Sequence, residues 1–264
     1  MSTNAILRAA LLISAALCFS LATGATVFGQ DVGVDVGAGV FKPKNPESKR
    51  TAKPATGTKP PASRPGTGKP KTPVVSERVE ELLDKGNEAR DARRFSEAED
   101  AYKEMLKLKP RDARAAYGLG NVYSDQQRWE DAEAAYRNSV AWGPTNADAH
   151  VALSVVLVQP RADGENAKRL AEAESFARKS VQIDPKNAVG WDRLGVALQA
   201  RSLFNSETEH SLRRAIDLDP NFAVAYAHLA RALNRMNRSA DAAPLYAKAI
   251  ELAKDPATLN LIAD

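Results

Sequence analysis

Cysteine is nearly absent: the 264-residue chain has one, Cys18. That excludes a disulfide-held scaffold and a cysteine-rich zinc site. Histidine is scarce too, with His150, His210 and His228 widely spaced, so no histidine metal site is expected. Acidic side chains are missing from one stretch. Residues 42–73 hold nine Lys and Arg against Glu47 alone, a net of +8. The chain as a whole carries +4, residues 1–41 carry −1, and residues 74–264, with 27 basic and 30 acidic side chains, carry −3. The high isoelectric point therefore belongs to a tail, and a basic nucleic-acid-binding domain is not supported.

Charge is also absent from Ala9 to Gly29. Arg8 precedes that run, Leu11, Leu12, Ile13, Leu17, Phe19 and Leu21 make it apolar, and Ala22, Thr23, Gly24 and Ala25 close it with small residues. This order reads as a secretory signal over 1–25, cut after Gly24 or Ala25, which implies a periplasmic or secreted protein. The run is also long enough to span a bilayer, so an uncleaved membrane anchor over 9–29 is the rival. Leu17 precedes Cys18 where a bacterial lipoprotein signal carries a small residue, so that resemblance fails.

Residues 26–41 form a Gly/Val-rich linker in which no Lys-Ser/Thr follows the glycines, so it is not a phosphate loop. Residues 42–75 are a Pro/Lys-rich spacer; from 42 to 73 there are eight Pro, no aromatic, and Ala as the only apolar type. Such a segment cannot bury enough surface to offset chain entropy and is expected to stay disordered and extended. Its charge allows contact with anionic membrane or cell-wall material.

The remainder repeats. The pairs Lys85-Gly86, Leu119-Gly120, Leu153-Ser154, Leu194-Gly195 and Leu229-Ala230 are spaced by 34, 34, 41 and 35 residues. Ala98, Ala132, Ala173, Thr208 and Ala242 follow at 34, 41, 35 and 34, and Pro110, Pro144, Pro185 and Pro220 keep step. Seven extra residues enter at Gln159–Glu165, where Pro160 and Gly164 mark a loop. Small residues at the repeated places permit close helix approach, and Tyr102, Tyr123, Tyr136 and Tyr246 fill the space beside them. Asp112, Asn146 and Asn187 are placed as N-caps, and Ser96-x2-Glu99 and Ser206-x2-Glu209 read as capping boxes. Pro244 falls near the first turn of the last second helix.

These residues resemble tetratricopeptide repeats: Trp191-x2-Leu194-Gly195-x2-Leu198 and Ala116-x2-Leu119-Gly120-x2-Tyr123 as first halves, Ala98-x3-Tyr102 before Pro110 and Ala132-x3-Tyr136 before Pro144 as second halves. Repeats 3 and 4 depart with Ala177, and with Thr208 and Leu212. The resemblance implies an all-α, right-handed α-solenoid over 77–264, with about five helix-turn-helix repeats at 79–112, 113–146, 147–187, 188–222 and 223–256. A short closing helix at 257–264 would use Leu259, Leu261 and Ile262 to cover the last repeat.

The resemblance further implies a protein- or peptide-binding groove lined by the first helices. By phase it receives Leu83, Asn87, Tyr117, Asn121, Val151, Val155, Asp192, Val196, Ala227, Arg231 and Asn234. A primary amide both donates and accepts, which suits Asn87 and Asn121 to a peptide backbone; Arg231 suits a carboxylate. The carboxylate clamp of chaperone-tail adaptors is missing, because its places hold Leu83, Gly118, Asp148 and Ala152, with only Asn87 matching. No catalytic spacing occurs, so no catalytic residue, metal or cofactor is expected, and the partner is a protein or peptide. The alternatives are a membrane-anchored envelope assembly factor and an enzyme using the repeats as a platform.

Overall fold

The computed structural model describes residues 75–161 and 164–263, with the side chains of 257, 261 and 263 excepted. The signal or anchor, the Gly/Val-rich linker and the spacer up to 74 lie outside the described residues. Eleven helices and no strand occur among the described residues: α1 (Val75–Asp91), α2 (Phe95–Leu108), α3 (Ala113–Asp125), α4 (Trp129–Trp142), α5 (Ala147–Leu157), α6 (Asn166–Ile183), α7 (Ala188–Ala200), α8 (Ser206–Leu218), α9 (Ala223–Arg235), α10 (Ser239–Leu252) and α11 (Pro256–Ala263). The first helix begins at Val75, inside the range the sequence assigns to the spacer. Odd- and even-numbered helices pair within a repeat, and each pair packs on the next. None of these helices is long and apolar enough to cross a membrane.

The repeated small residues set the distance between helices. A Cβ at Gly86 would lie 2.6 Å from the Tyr102 ring, one at Gly120 2.4 Å from Tyr136, and one at Gly195 2.5 Å from Leu212. Tyr102, Tyr136 and Leu212 are fully or almost fully buried, so each large side chain occupies the space a small one leaves on the facing helix.

The turns follow one design. Arg93, Gln127, Ser202 and Asn237 have φ near +60° just after α1, α3, α7 and α9. In each, the next residue's N–H donates five residues back, as Arg128 does to the Tyr123 carbonyl at 2.9 Å. This is the Schellman closure, built here without glycine. Repeat 3 replaces it with the inserted loop, where Gly164 takes the positive φ. At the opposite turns Asp112, Asn146 and Asn187 accept from the first-turn N–H groups of α3, α5 and α7, as their places in the sequence require. The capping boxes are not formed. Arg94 is the N-cap of α2 and Asn205 that of α8, so Ser96 and Ser206 already lie inside the helix. Pro244 is the sixth residue of α10, past the first turn, so its missing N–H removes one helical bond.

An ion ladder runs along the even helices. Glu99, Glu133, Glu174 and Glu209 each pair with a base one turn on (Lys103, Arg137, Arg178, Arg213). Each also receives an arginine from the following repeat: Arg128 at 3.4 Å, Arg161 at 2.6 Å, Arg201, and Arg238 at 2.6 Å. Burial would raise the Glu133 carboxyl, but hydrogen bonds from Arg137 and Arg161 outweigh it and leave it below its ordinary value. Arg161 comes from the insertion, so that loop is tied to repeat 2 and serves as a rung.

Candidate functional site: the row of first helices

The helices α1, α3, α5, α7 and α9 carry every residue expected in the groove, and the structure shows how accessible each one is. Leu83 is half-buried against the core. Asn87 is half-buried and Asn121 buried, and both are occupied: their Oδ1 atoms accept from the Tyr102 and Tyr136 hydroxyls, each at 2.8 Å. The two bonds share one offset of 15 residues and lock the second helix of a repeat to its first. Each asparagine oxygen is therefore already engaged by one donor, which leaves the NH2 group and at most one lone pair for a partner. Burial pushes the Tyr102 phenol up to about 12 and Tyr136 well above its ordinary value, so both remain protonated donors.

Tyr117 is buried, with its ring 5.8 Å from that of Tyr136 at 52°. Its hydroxyl meets no partner in hydrogen-bonding geometry. Burial raises this phenol well above its ordinary value, and the neighbouring Tyr136 and Asp148 add to it. Val151 is fully buried, Val155 and Val196 nearly so, and Ala227 is buried as well. Arg231 is half-buried and Asn234 exposed, and neither side chain bonds to another described residue. The row is thus more closed in its middle than at its last helix.

Asp192 is fully buried in a charged cluster that the sequence reading did not assemble. The His228 Nδ1 lies 2.7 Å from Asp192 Oδ1, so the ring N–H donates to the carboxylate across α7 and α9. Arg193 Nε lies 3.6 Å from the other carboxylate oxygen. Burial would raise Asp192, but His228 and Arg193 outweigh it and hold it below its ordinary value. The signal for this cluster was present in the register: Gly118, Ala152, Arg193 and His228 occupy one repeat place.

Among the described residues the three histidines stand apart from one another, each in its own setting. The His150 Nδ1 is 2.9 Å from the Asn146 carbonyl, one turn back on its own helix. His210 is exposed and meets the Trp191 ring edge-on at 6.1 Å. His228 has an orienting carboxylate, but no serine, threonine or cysteine bonds its ring among the described residues. No group of three or more His, Cys, Asp or Glu gathers for a metal among the described residues.

Comparison with known proteins decides the family. Tetratricopeptide repeat models match residues 83–147, 120–188 and 225–259, together more than half of the chain. The chain belongs to the tetratricopeptide repeat family. No curated protein matches it. Among solved structures, a thermophilic tetratricopeptide repeat protein of Thermus thermophilus is 23% identical, with a TM-score of 0.58, over 70% of this chain and 97% of that one. A MamA structure, residues 41 to the end, from Desulfovibrio magneticus RS-1 is 18% identical, with a TM-score of 0.57, over 68% of this chain and 97% of that one. YrrB, described as a TPR protein with an unusual peptide-binding site, is 19% identical, with a TM-score of 0.53, over 70% of this chain and 95% of that one. At these identities the likeness speaks for the tetratricopeptide fold alone.

Proposed function

We propose that this chain is a non-catalytic scaffold that binds a protein or peptide along its row of first helices, outside the cytoplasm. One observation carries the reading. Within a regular stack, the residues at two places of the row change from repeat to repeat: Leu83, Tyr117, Val151, Asp192 and Ala227 at one, Asn87, Asn121, Val155, Val196 and Arg231 at the other. Stacking holds its own places nearly constant, so the variable row is where specificity has room to be encoded. The peptide-binding site ascribed to YrrB, on a similar fold, is in keeping with this.

The test uses the full chain as bait, with Arg231→Glu and Asn234→Lys as row variants and Lys107→Glu, exposed on α2, as control. Partner capture is expected to fall with the row variants and to persist with the control. Equal capture by all three refutes the row. Export rests on the signal at 1–25, and mass spectrometry of the mature chain tests it. A mature N-terminus near Ala25 is expected; an intact Met1 start in a membrane fraction would favour the anchored alternative. Cosedimentation with anionic vesicles, with and without residues 42–73, tests whether the basic spacer touches membrane.

A further inference from the structure

The net charge of the repeat region sits on its first helix. Val75–Asp91 holds six acidic side chains against Arg78, Lys85 and Arg90, while residues 92–264 hold 24 of each sign and are neutral. Five of the six, Glu77, Glu81, Asp84, Glu88 and Asp91, are spaced by four, three, four and three residues and form one stripe along α1. All five are exposed, on the side of the helix opposite its buried Val79, Leu82, Gly86 and Ala89. Glu81 and Asp91 meet Arg78 and Arg90 at 3.2 Å each, whereas Asp84 and Glu88 bond to no base among the described residues.

The repeat register identifies this face. Glu81, Asp84 and Glu88 occupy the places of Ala115, Gly118 and Val122 in α3 and of Ala149, Ala152 and Val156 in α5, all of them buried. In those helices the face packs on the preceding repeat: a Cβ at Gly118 would lie 2.4 Å from the Tyr102 ring of α2. No repeat precedes α1 among the described residues, and its packing partners are α2 and α3. The stacking face of α1 is therefore unpartnered, and it carries carboxylates where its copies in α3 and α5 carry small or apolar side chains. A further repeat or a second copy stacked there would bury three carboxylates without counter-charges, at a high cost. The occupant this face suits is cationic and extended, so that the carboxylates stay hydrated while they are paired.

We propose that the stripe is a docking surface for the basic segment 42–73 of the same chain. That segment lies outside the described residues, carries +8, and is joined to Val75 through Val74 alone. Its eight prolines favour an extended backbone of about 3.1 Å per residue, a reach of roughly 100 Å. The 17 residues of α1 are about 25 Å long, so the segment can fold back over the whole stripe. Exposed ion pairs are individually weak, and the tether compensates by holding the segment at an effective concentration of about a millimolar. Docked on α1, the segment's charge is withheld from other anions; raised salt or a competing polyanion releases it. The contact uses no residue of the partner row and goes beyond the reading above.

The experiment places a nitroxide label on Thr56→Cys, in a Cys18→Ser background of the full chain, and measures the broadening of backbone amide signals by nuclear magnetic resonance. Glu81, Asp84, Glu88 and Asp91 are compared with Lys107 on α2, in about 20 mM and about 500 mM sodium chloride, between which the screening length falls from about 20 Å to about 4 Å. Broadening along α1 as far as Asp91 is expected to be several-fold greater at low salt, with Lys107 little changed. The triple variant Glu81→Lys, Asp84→Lys and Glu88→Lys loses that salt-dependent part. So does Lys49→Glu, Arg50→Glu and Lys53→Glu, which leaves α1 intact, and combining the two sets restores it. Equal broadening at the two salt concentrations, equal broadening of α1 and Lys107, or persistence in either triple variant overturns the proposal. A mixture of nitroxide-labelled chains with isotope-labelled chains lacking nitroxide shows no broadening; broadening there assigns the stripe to a second copy's segment and overturns docking within one chain.

Discussion

Gly118→Ala puts the packing account at risk, because helix propensity and packing predict opposite signs. In the interior of α3 alanine is favoured over glycine by about 0.8–1.0 kcal/mol. A Cβ at Gly118, however, would lie 2.4 Å from Tyr102 Cζ and 2.5 Å from Cε1, where an ordinary contact needs at least 3.4 Å. The ring must move by about 1 Å. Its freedom is small: the same ring atoms lie 2.6–2.7 Å from the place of a Cβ at Gly86, and the hydroxyl is held to Asn87 at 2.8 Å. Overpacking of this kind costs about 1–3 kcal/mol, and losing the tyrosine–asparagine bond adds about 1. The net expectation is a loss of about 1–3 kcal/mol after the propensity gain is subtracted. Repeats are coupled only to their neighbours, so the loss falls on the first two repeats. Hydrogen exchange followed helix by helix, together with thermal melting, provides the assay. Protection should drop in α1 and α2 and stay unchanged in α8 and α9. Tyr102→Leu should cost less in the Gly118→Ala background than alone, because it removes the clash along with the ring. If Gly118→Ala raises stability by the propensity difference, the close approach of α3 to Tyr102 is refuted.

Three further outcomes follow from local geometry. Gln127→Gly should stabilise repeat 2 by up to about 1 kcal/mol, since residue 127 has φ +57° in a turn that glycine enters without strain; a lowered melting temperature would contradict the turn assignment. Arg161→Ala should cost about 1–2 kcal/mol, because Arg161 and Glu133 are 10% and 15% exposed, whereas Arg128→Ala, at a rung 42% exposed, should change little; the reverse order in denaturant titrations would undo the ranking of rungs. Burial would raise the Asp112 carboxyl, but Arg114, Lys109 and the cap N–H lower it from 3.8 to about 2. Its contribution, about 1–2 kcal/mol, is therefore present above pH ~4 and lost as the pH falls towards about 2; melting of the wild type and Asp112→Asn across that range should converge at the acid end, and a constant gap would exclude the linkage.

Stacking was more legible in the sequence than the surroundings of the first-helix row, for a physical reason. A stacking place has one requirement repeated at every interface, so Gly86, Gly120 and Gly195, the prolines and the N-cap asparagines recur in register from repeat to repeat, displaced together by the insertion in repeat 3. The capping box at Ser96 failed because the turn already ends in a left-handed residue followed by an arginine N-cap, which places Ser96 inside α2 and frees Glu99 for Lys103 and Arg128; the one at Ser206 failed because Asn205 is itself the cap of α8. Helix phase located the row of first helices but not its depth. Phase gives the direction of a side chain, whereas the closeness of the next repeat decides its exposure; hence Val151 and Asp192 are fully covered while Asn234 is open. The tyrosine locks on Asn87 and Asn121 could have been found from their shared offset, because two identical pairs at 15 residues in a repeat chain imply one contact made twice.

The ladder takes this comparison within the chain one step further. Repeats 1 to 4 each place a glutamate directly after the small residue of the second helix: Glu99 after Ala98, Glu133 after Ala132, Glu174 after Ala173 and Glu209 after Thr208. Repeat 5 has Ala243 after Ala242, and the base one turn on is replaced by Ala247. Arg238 still reaches back to Glu209, so repeat 5 gives a rung and receives none. Another repeat stacked on α10 would find no carboxylate there, and it would meet exposed Pro244 and the broken helical bond beneath it. What packs there is α11, whose Ile262 lies against Ala223, Ala227 and Ala249. The ladder thus stops at a change of two side chains, Ala243 and Ala247, while α11 meets the last pair through a separate apolar contact of Ile262 with Ala223, Ala227 and Ala249.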